Sequence, residues 1–187
     1  MSTEDKDFNG KDFTDVSLPK GEYENCTFTN CLFSGSSLSE VVFIDCRFET
    51  CDLSMAILQG TAFRDIQFRG CKMLGLHFED CNSFLFSVSF NNCQLNLSSF
   101  YKLNLKNSAF RDCSLQEVDF TEANMTGILL QNCDLTGATF EYTILEKADF
   151  RTATHYSIDP EKVQMKKAKF SIPGVIGLLD KYDISIE

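Results

Sequence analysis

From Tyr23 to Phe78, and again from Leu85 to Phe150, a large apolar side chain returns at every fifth residue. The second run reads Phe90, Leu95, Phe100, Leu105, Phe110, Leu115, Phe120, Met125, Leu130, Leu135, Phe140, Leu145 and Phe150. Two residues ahead of each stands a small or medium-sized side chain, as in Val88, Cys93, Ser98, Ala123, Ala138 and Ala148. A period of five suits neither an α-helix nor a plain strand. It predicts a coil that turns a corner every five residues, with two inward positions per side and three outward ones.

The rhythm is faint over Met1 to Lys20, at Phe8, Phe13 and Leu18, so residues 1–20 are expected to be a partly ordered N-terminal segment. The repeat body is expected over 21–155. It has one phase break, a slip of two residues near 80–84, after which Leu85 begins the second inward series. Fifteen of the eighteen phenylalanines fall on the inward centres. If four pentads make one coil, residues twenty apart stack. Phe100, Phe120 and Phe140 then form one column, Phe90 and Phe110 a second, and Leu95, Leu115 and Leu135 a third. Alternating aromatic and leucine columns would fill one narrow interior without voids.

After Arg151 the register is expected to dissolve into a C-terminal cap, 156–187. Asp159-Pro160 signals a turn. Ser171 is a suitable cap for a short helix at about 172–182, with Pro173 in its first turn and Ile172, Val175, Ile176, Leu178, Leu179 and Tyr182 at spacings of three and four. Ile184 and Ile186 alternate like a short terminal strand.

Segments such as Cys133-Asp134-Leu135-Thr136-Gly137, Ala148-Asp149-Phe150 and Ala123-Asn124-Met125 resemble the pentapeptide-repeat family, whose motif is a small residue, Asp or Asn, Leu or Phe, and two polar residues. The resemblance implies an all-β, right-handed quadrilateral β-helix. Its roughly seven coils, at about 4.8 Å per rung, would make a rod on the order of 35 Å long. The tail is similar in pattern to that of quinolone-resistance members. This implies a homodimer joined end to end through the C-terminal residues named above, and an interaction with DNA gyrase or topoisomerase IV. The chain departs from members that protect gyrase in having no long projecting loop, only the two-residue slip, which is closer to the loop-poor members that act more as gyrase inhibitors.

Composition narrows the chemistry. The formal net charge is -10, which argues against direct nucleic-acid binding. No apolar run is long enough for a membrane span and no signal peptide is visible, so a cytoplasmic location is expected. All nine cysteines occupy the small inward slot, where Ala, Ser, Thr and Val also occur, and are read as small hydrophobes. Several lie twenty apart and would stack in ladders. Without a Cys-x-x-Cys, and with His77 and His155 the only histidines, neither a metal site nor a disulfide framework is implied. There is no phosphate-binding loop and no nucleophile elbow, and the carboxylates face outward on a convex rod. No enzyme and no cofactor are expected.

Charge is unevenly spread. From Arg64 to Arg111 six basic residues (Arg64, Arg69, Lys72, Lys102, Lys106, Arg111) face three acids (Asp65, Glu79, Asp80), a net of +3. From Asp112 to Asp149 eight acids (Asp112, Glu117, Asp119, Glu122, Asp134, Glu141, Glu146, Asp149) face Lys147 alone, a net of -7. Period-twenty stacking places Asp119, Glu122 and Glu141 on one face and Glu117 and Asp134 on the face before it. Five carboxylates would then line one corner region next to the tail. Such an array would imitate the charge of a DNA duplex and attract a phosphate-binding protein surface. The alternative is a repeat scaffold with some other partner, the acids serving only as a solvated face.

Overall fold

The computed structural model describes residues 2–106 and 108–185. The chain winds into a four-sided solenoid of parallel β-ladders. One side carries β1 (Ser2–Glu4), β3 (Glu22–Glu24), β5 (Val42–Ile44) and β7 (Ala62–Arg64), stacked in register in that order. The next side carries β2 (Asp7–Asn9), β4 (Thr27–Thr29), β6 (Arg47–Glu49), β8 (Ile66–Arg69), β9 (Val88–Asn91), β10 (Ala109–Arg111) and β11 (Leu130–Gln131) as a seven-stranded parallel sheet. The other two sides are held by single-residue bridges such as Asp12 with Leu32 and Ser37 with Ile57. Beyond β7 the first side continues in the same way, as at Asn124 with Ile144. The strands are short because each side must end at a corner after a few residues.

Two corner chemistries follow from the outward residues. Where strands precede the corner, it is often Asn or Asp that takes the left-handed conformation, as at Asn25, Asp45, Asp65, Asn92, Asp112 and Asn132, residues that tolerate it best after glycine. Elsewhere a four-residue turn closes the corner: the Ser36 N–H donates to Phe33 C=O (2.9 Å) with Gly35 at φ +66, and the Ala123 N–H donates to Phe120 C=O (3.0 Å) with Glu122 at φ +57. A positive φ at the third position of such a turn is the type II signature.

The inward columns follow the fivefold rhythm. Phe28, Phe48, Phe68, Phe90 and Phe110 stack with ring centroids 4.8 to 5.3 Å apart, and Phe78, Phe100, Phe120 and Phe140 stack at 4.5 to 5.5 Å. Neighbouring columns meet edge to face, as Phe110 and Phe120 do at 6.1 Å. This is the offset of aromatic quadrupoles that lets four columns share one interior.

Four boundaries differ from the sequence expectation. Residues 2–20 join the solenoid on three of its sides, with β1 paired to β3, β2 to β4 and Asp12 bridged to Leu32, Phe8 stacked on Phe28 at 4.6 Å and Leu18 buried. At the phase break the two extra residues are Phe84 and Leu85, which sit outside: Leu85, expected inward, is 63% exposed at φ +58. Phe86 enters the core in its place and packs on Phe78 at 6.3 Å, while Ser83, which follows the bridge residue Asn82, is exposed. The ladder also runs past residue 155. Gln164 bridges to Ile144, Lys169 to Asp149, and Phe170 stacks on Phe150 at 5.3 Å. Finally, the helix expected at about 172–182 is two 3₁₀ turns, Gly174–Leu178 and Asp180–Tyr182. Ser171 Oγ does accept the Gly174 N–H (3.1 Å), as a cap should. Two poor helix formers, Gly174 and Gly177, then lie against Tyr156 where no Cβ would fit. Gly177 C=O accepts the Ile158 N–H at 2.9 Å, which turns the backbone toward the last coil instead of along a helix axis. Ile184 is exposed, and Ile186 lies outside the described residues.

Candidate functional site

The five singled-out carboxylates occupy two sides and two corners of the coil. Asp119 bridges Thr139, so Asp119 and Glu141 lie on the same side; Asp134 bridges Ser114 on the side before it. Glu117 and Glu122 are corner residues with φ +55 and +57, one at each end of the Asp119 side. Glu117 and Glu122 thus stand at corners, where the spacing assigns Glu122 to the Asp119 face and Glu117 to the face before it.

Their charges are less free than their positions. Glu122 Oε2 lies 3.6 Å from Lys102 Nζ, and its Oε1 accepts the Tyr101 hydroxyl at 3.1 Å. Glu141 Oε1 pairs with Lys162 Nζ at 2.8 Å, across to the C-terminal segment. Asp134 accepts from Gln116 Nε2 (2.7 Å) and Thr136 Oγ1 (2.7 Å) and meets His155 Nδ1 at 2.9 Å. Desolvation by itself would raise the Asp134 carboxyl, but these donors hold it well below the usual carboxylate range. Asp119 caps its own turn by accepting the Thr121 N–H at 2.8 Å. Among the described residues neither Glu117 nor Asp119 has a cationic partner.

The C-terminal end is the second feature. Lys181 Nζ bonds Asp159 Oδ1 (2.7 Å) and Glu161 Oε2 (2.9 Å), and together with the Ile158 to Gly177 hydrogen bond it fastens the 3₁₀ turns to the last coil. The predicted apolar stripe does not cover the core as a cap helix would. Leu178 packs on the core and Leu179 is half-buried, whereas Ile172 is 91% exposed and Val175, Ile176 and Tyr182 also face out. A recess of about 460 Å³ separates the turns from the last coil, between Arg151 to Tyr156 on one wall and Ser171 to Asp180 on the other. The exposed Phe84 and Leu85 are a third surface that the fivefold reading missed. The slip itself was the signal, since two extra residues in a closed coil have no inward place to go.

The sequence profile of the pentapeptide repeat region matches residues 21–84 and 83–158. The chain belongs to the pentapeptide-repeat family. Among solved structures it is similar to HetL, a pentapeptide-repeat protein involved in heterocyst differentiation regulation in the cyanobacterium Nostoc sp. strain PCC 7120, at 16% identity, covering 92% of this chain and 87% of that one, TM-score 0.74. It is also similar to a trypsin-treated variant of QnrB1, a plasmid-mediated fluoroquinolone resistance protein, at 23% identity over the whole of both chains, TM-score 0.48. No curated protein sequence matches the chain. The likeness to HetL, at 16% identity, establishes the solenoid fold alone. No helix among the described residues is long and apolar enough to cross a membrane.

Proposed function

We propose that this chain is a non-enzymatic protein-binding rod that pairs with a second copy through its C-terminal end and offers its acidic side to a protein that normally holds DNA, the DNA-binding surface of a type II topoisomerase such as DNA gyrase or topoisomerase IV. The exposed apolar group Ile172, Val175, Ile176 and Tyr182 supports the pairing. In a two-fold dimer the acidic segments from Asp112 to Asp149 would merge at the centre. The test is a supercoiling assay with purified gyrase, with and without a quinolone. Inhibition or protection that weakens with salt is expected, and no effect at tens of micromolar would sink the reading.

A second reading, a scaffold for a different partner, draws on the ion pairs. Lys102, Lys162 and His155 lie against three of the five carboxylates, and this dilutes the imitation of a phosphate row. Reversing charge at Glu117 and Asp119, the two with no basic side chain beside them among the described residues, separates the readings. A gyrase effect that is lost in this variant supports the DNA-like surface, and one that is unchanged supports the scaffold.

A further inference from the structure

One inward column consists of cysteine alone over six rungs: Cys31, Cys51, Cys71, Cys93, Cys113 and Cys133, all free and all buried. Along the sequence the spacing of twenty fails between Cys71 and Cys93. In the fold the two extra residues leave the coil at Phe84 and Leu85, Lys72 bridges to Gln94, and the Gln94 N–H donates to Cys71 C=O at 2.9 Å. Cys93 is thereby seated on Cys71, and two ladders of three become one of six.

The rung spacing decides what such thiols can do. Parallel in-register strands hold equivalent atoms about 4.8 Å apart. A disulfide needs Cβ atoms about 3.8 Å apart, so closing one would pull two rungs together by about 1 Å across a packed core. A cation bonded to two sulfurs in a line, at about 2.3 Å each, spans about 4.6 Å, close to the natural rung spacing. Zinc takes four ligands, and no group of three His, Cys, Asp or Glu side chains converges among the described residues. The ladder therefore suits soft ions that accept two sulfurs. Cys71 and Cys93 are both buried, but a depression of about 250 Å³ lies over this pair, lined also by Gly70, Lys72, Asn92, Gln94, Asp112 and Ser114. Hydrogen bonds from its neighbours Cys113 and Cys71 lower Cys93 below the ordinary thiol value, while Cys71 is raised.

We propose that Cys71 and Cys93 form a two-coordinate site for a soft d10 cation, reached through the depression between Gly70 and Asn92. With a divalent ion, two S–H bonds break, two metal–sulfur bonds form and two protons leave to solvent. The bis-thiolate product is neutral, as a dry core demands. The probe is mercuric chloride added to the full-length, reduced protein. The first equivalent should release two protons, remove two thiols from titration in denaturant, and give an X-ray absorption shell of two sulfurs at about 2.3 Å, with the β-sheet circular dichroism unchanged. The double variant Cys71→Ala with Cys93→Ala should fold, since Ala123, Ala138 and Ala148 occupy the same slot of the repeat, and should lose this tight first equivalent. An unchanged first equivalent in the variant, a shell of one or of three or more sulfurs, or binding that begins only as the circular dichroism collapses would each overturn the assignment.

Discussion

Lys147 shows what a corner demands of one residue. Its φ is +59, its side chain is exposed, and its N–H is held by Lys166 C=O at 3.0 Å, so the backbone there is fixed in a region that costs an L-residue about 1–2 kcal/mol. Lys147→Gly should raise stability by about 1 kcal/mol in urea titration, because the strain relieved exceeds the extra chain entropy of glycine. A decrease would mean that the lysine side chain carries a contact of its own. Asp134 makes the opposite case, a residue whose side chain stabilises the corner through its charged form. Its carboxyl is lowered in the fold, so its contribution is complete above the ordinary aspartate value of about 3.9 and is lost as pH falls through the lower folded value. Asp134→Asn should be less stable than the parent by a constant amount from neutral pH down to about pH 5, and the gap should shrink below about pH 4. Denaturation at pH 7, 5 and 3 reads this directly. A gap that widens in acid would reverse the assignment. The position of Asp134 was legible in the repeat. Its partners Gln116 and His155 were not, because they come from a neighbouring rung and from the irregular end, and the fivefold period says nothing about outward rotamers.

At the scale of one rung, the aromatic columns carry the fold. Phe120 is fully buried between Phe100 and Phe140 and meets Phe110 edge to face, so every side of its ring is occupied. Phe120→Ala should cost about 3–5 kcal/mol, since neighbouring rungs are held apart by their own hydrogen bonds and cannot collapse into the hole. A loss below about 1 kcal/mol, measured by chemical denaturation, would contradict the packing. The same rigidity explains why the columns could be read from spacing alone. A ladder in register turns a period in sequence into a neighbour in space. It also explains the miss at Leu85. There the coil has two residues more than its neighbours, since Lys72 bridges Gln94 where Asp52 bridges Lys72, and a period cannot say which two are expelled. The choice falls to local geometry, with Leu85 taking a left-handed turn and Phe86 entering the core against Phe78. The C-terminal helix was misjudged for a related reason. Spacings of three and four fit a 3₁₀ turn docked by Gly174 and Gly177 as well as they fit a helix, and the contact of Tyr156 with both glycines decides between them.

Across the whole molecule the two ends of the rod are unlike. The first rung exposes a strand edge flanked by Glu4, Asp5, Lys6 and Asp7, and charge on an open edge discourages another chain from pairing there. The last rung is covered by two short turns that pack Leu178 on the core and leave Ile172, Val175, Ile176 and Tyr182 facing out. End-to-end association through the acidic N-terminal edge would set like charges against each other. Association through Ile172 and Ile176 would bury apolar surface at a smaller electrostatic cost, because Lys181 offsets part of the charge of Asp159 and Glu161 beside it. Pairing by a two-fold axis closes after two copies, whereas a head-to-tail contact would continue into a filament. The full-length protein should therefore sediment as an elongated particle of twice the chain mass. Ile172→Asp with Ile176→Asp should convert it to a monomer whose thermal transition is little changed, since neither side chain packs into the core. Sedimentation velocity on both proteins distinguishes the outcomes: a variant that remains dimeric would remove this end from the interface, and a parent that is already monomeric would remove the merged acidic centre on which the gyrase reading depends.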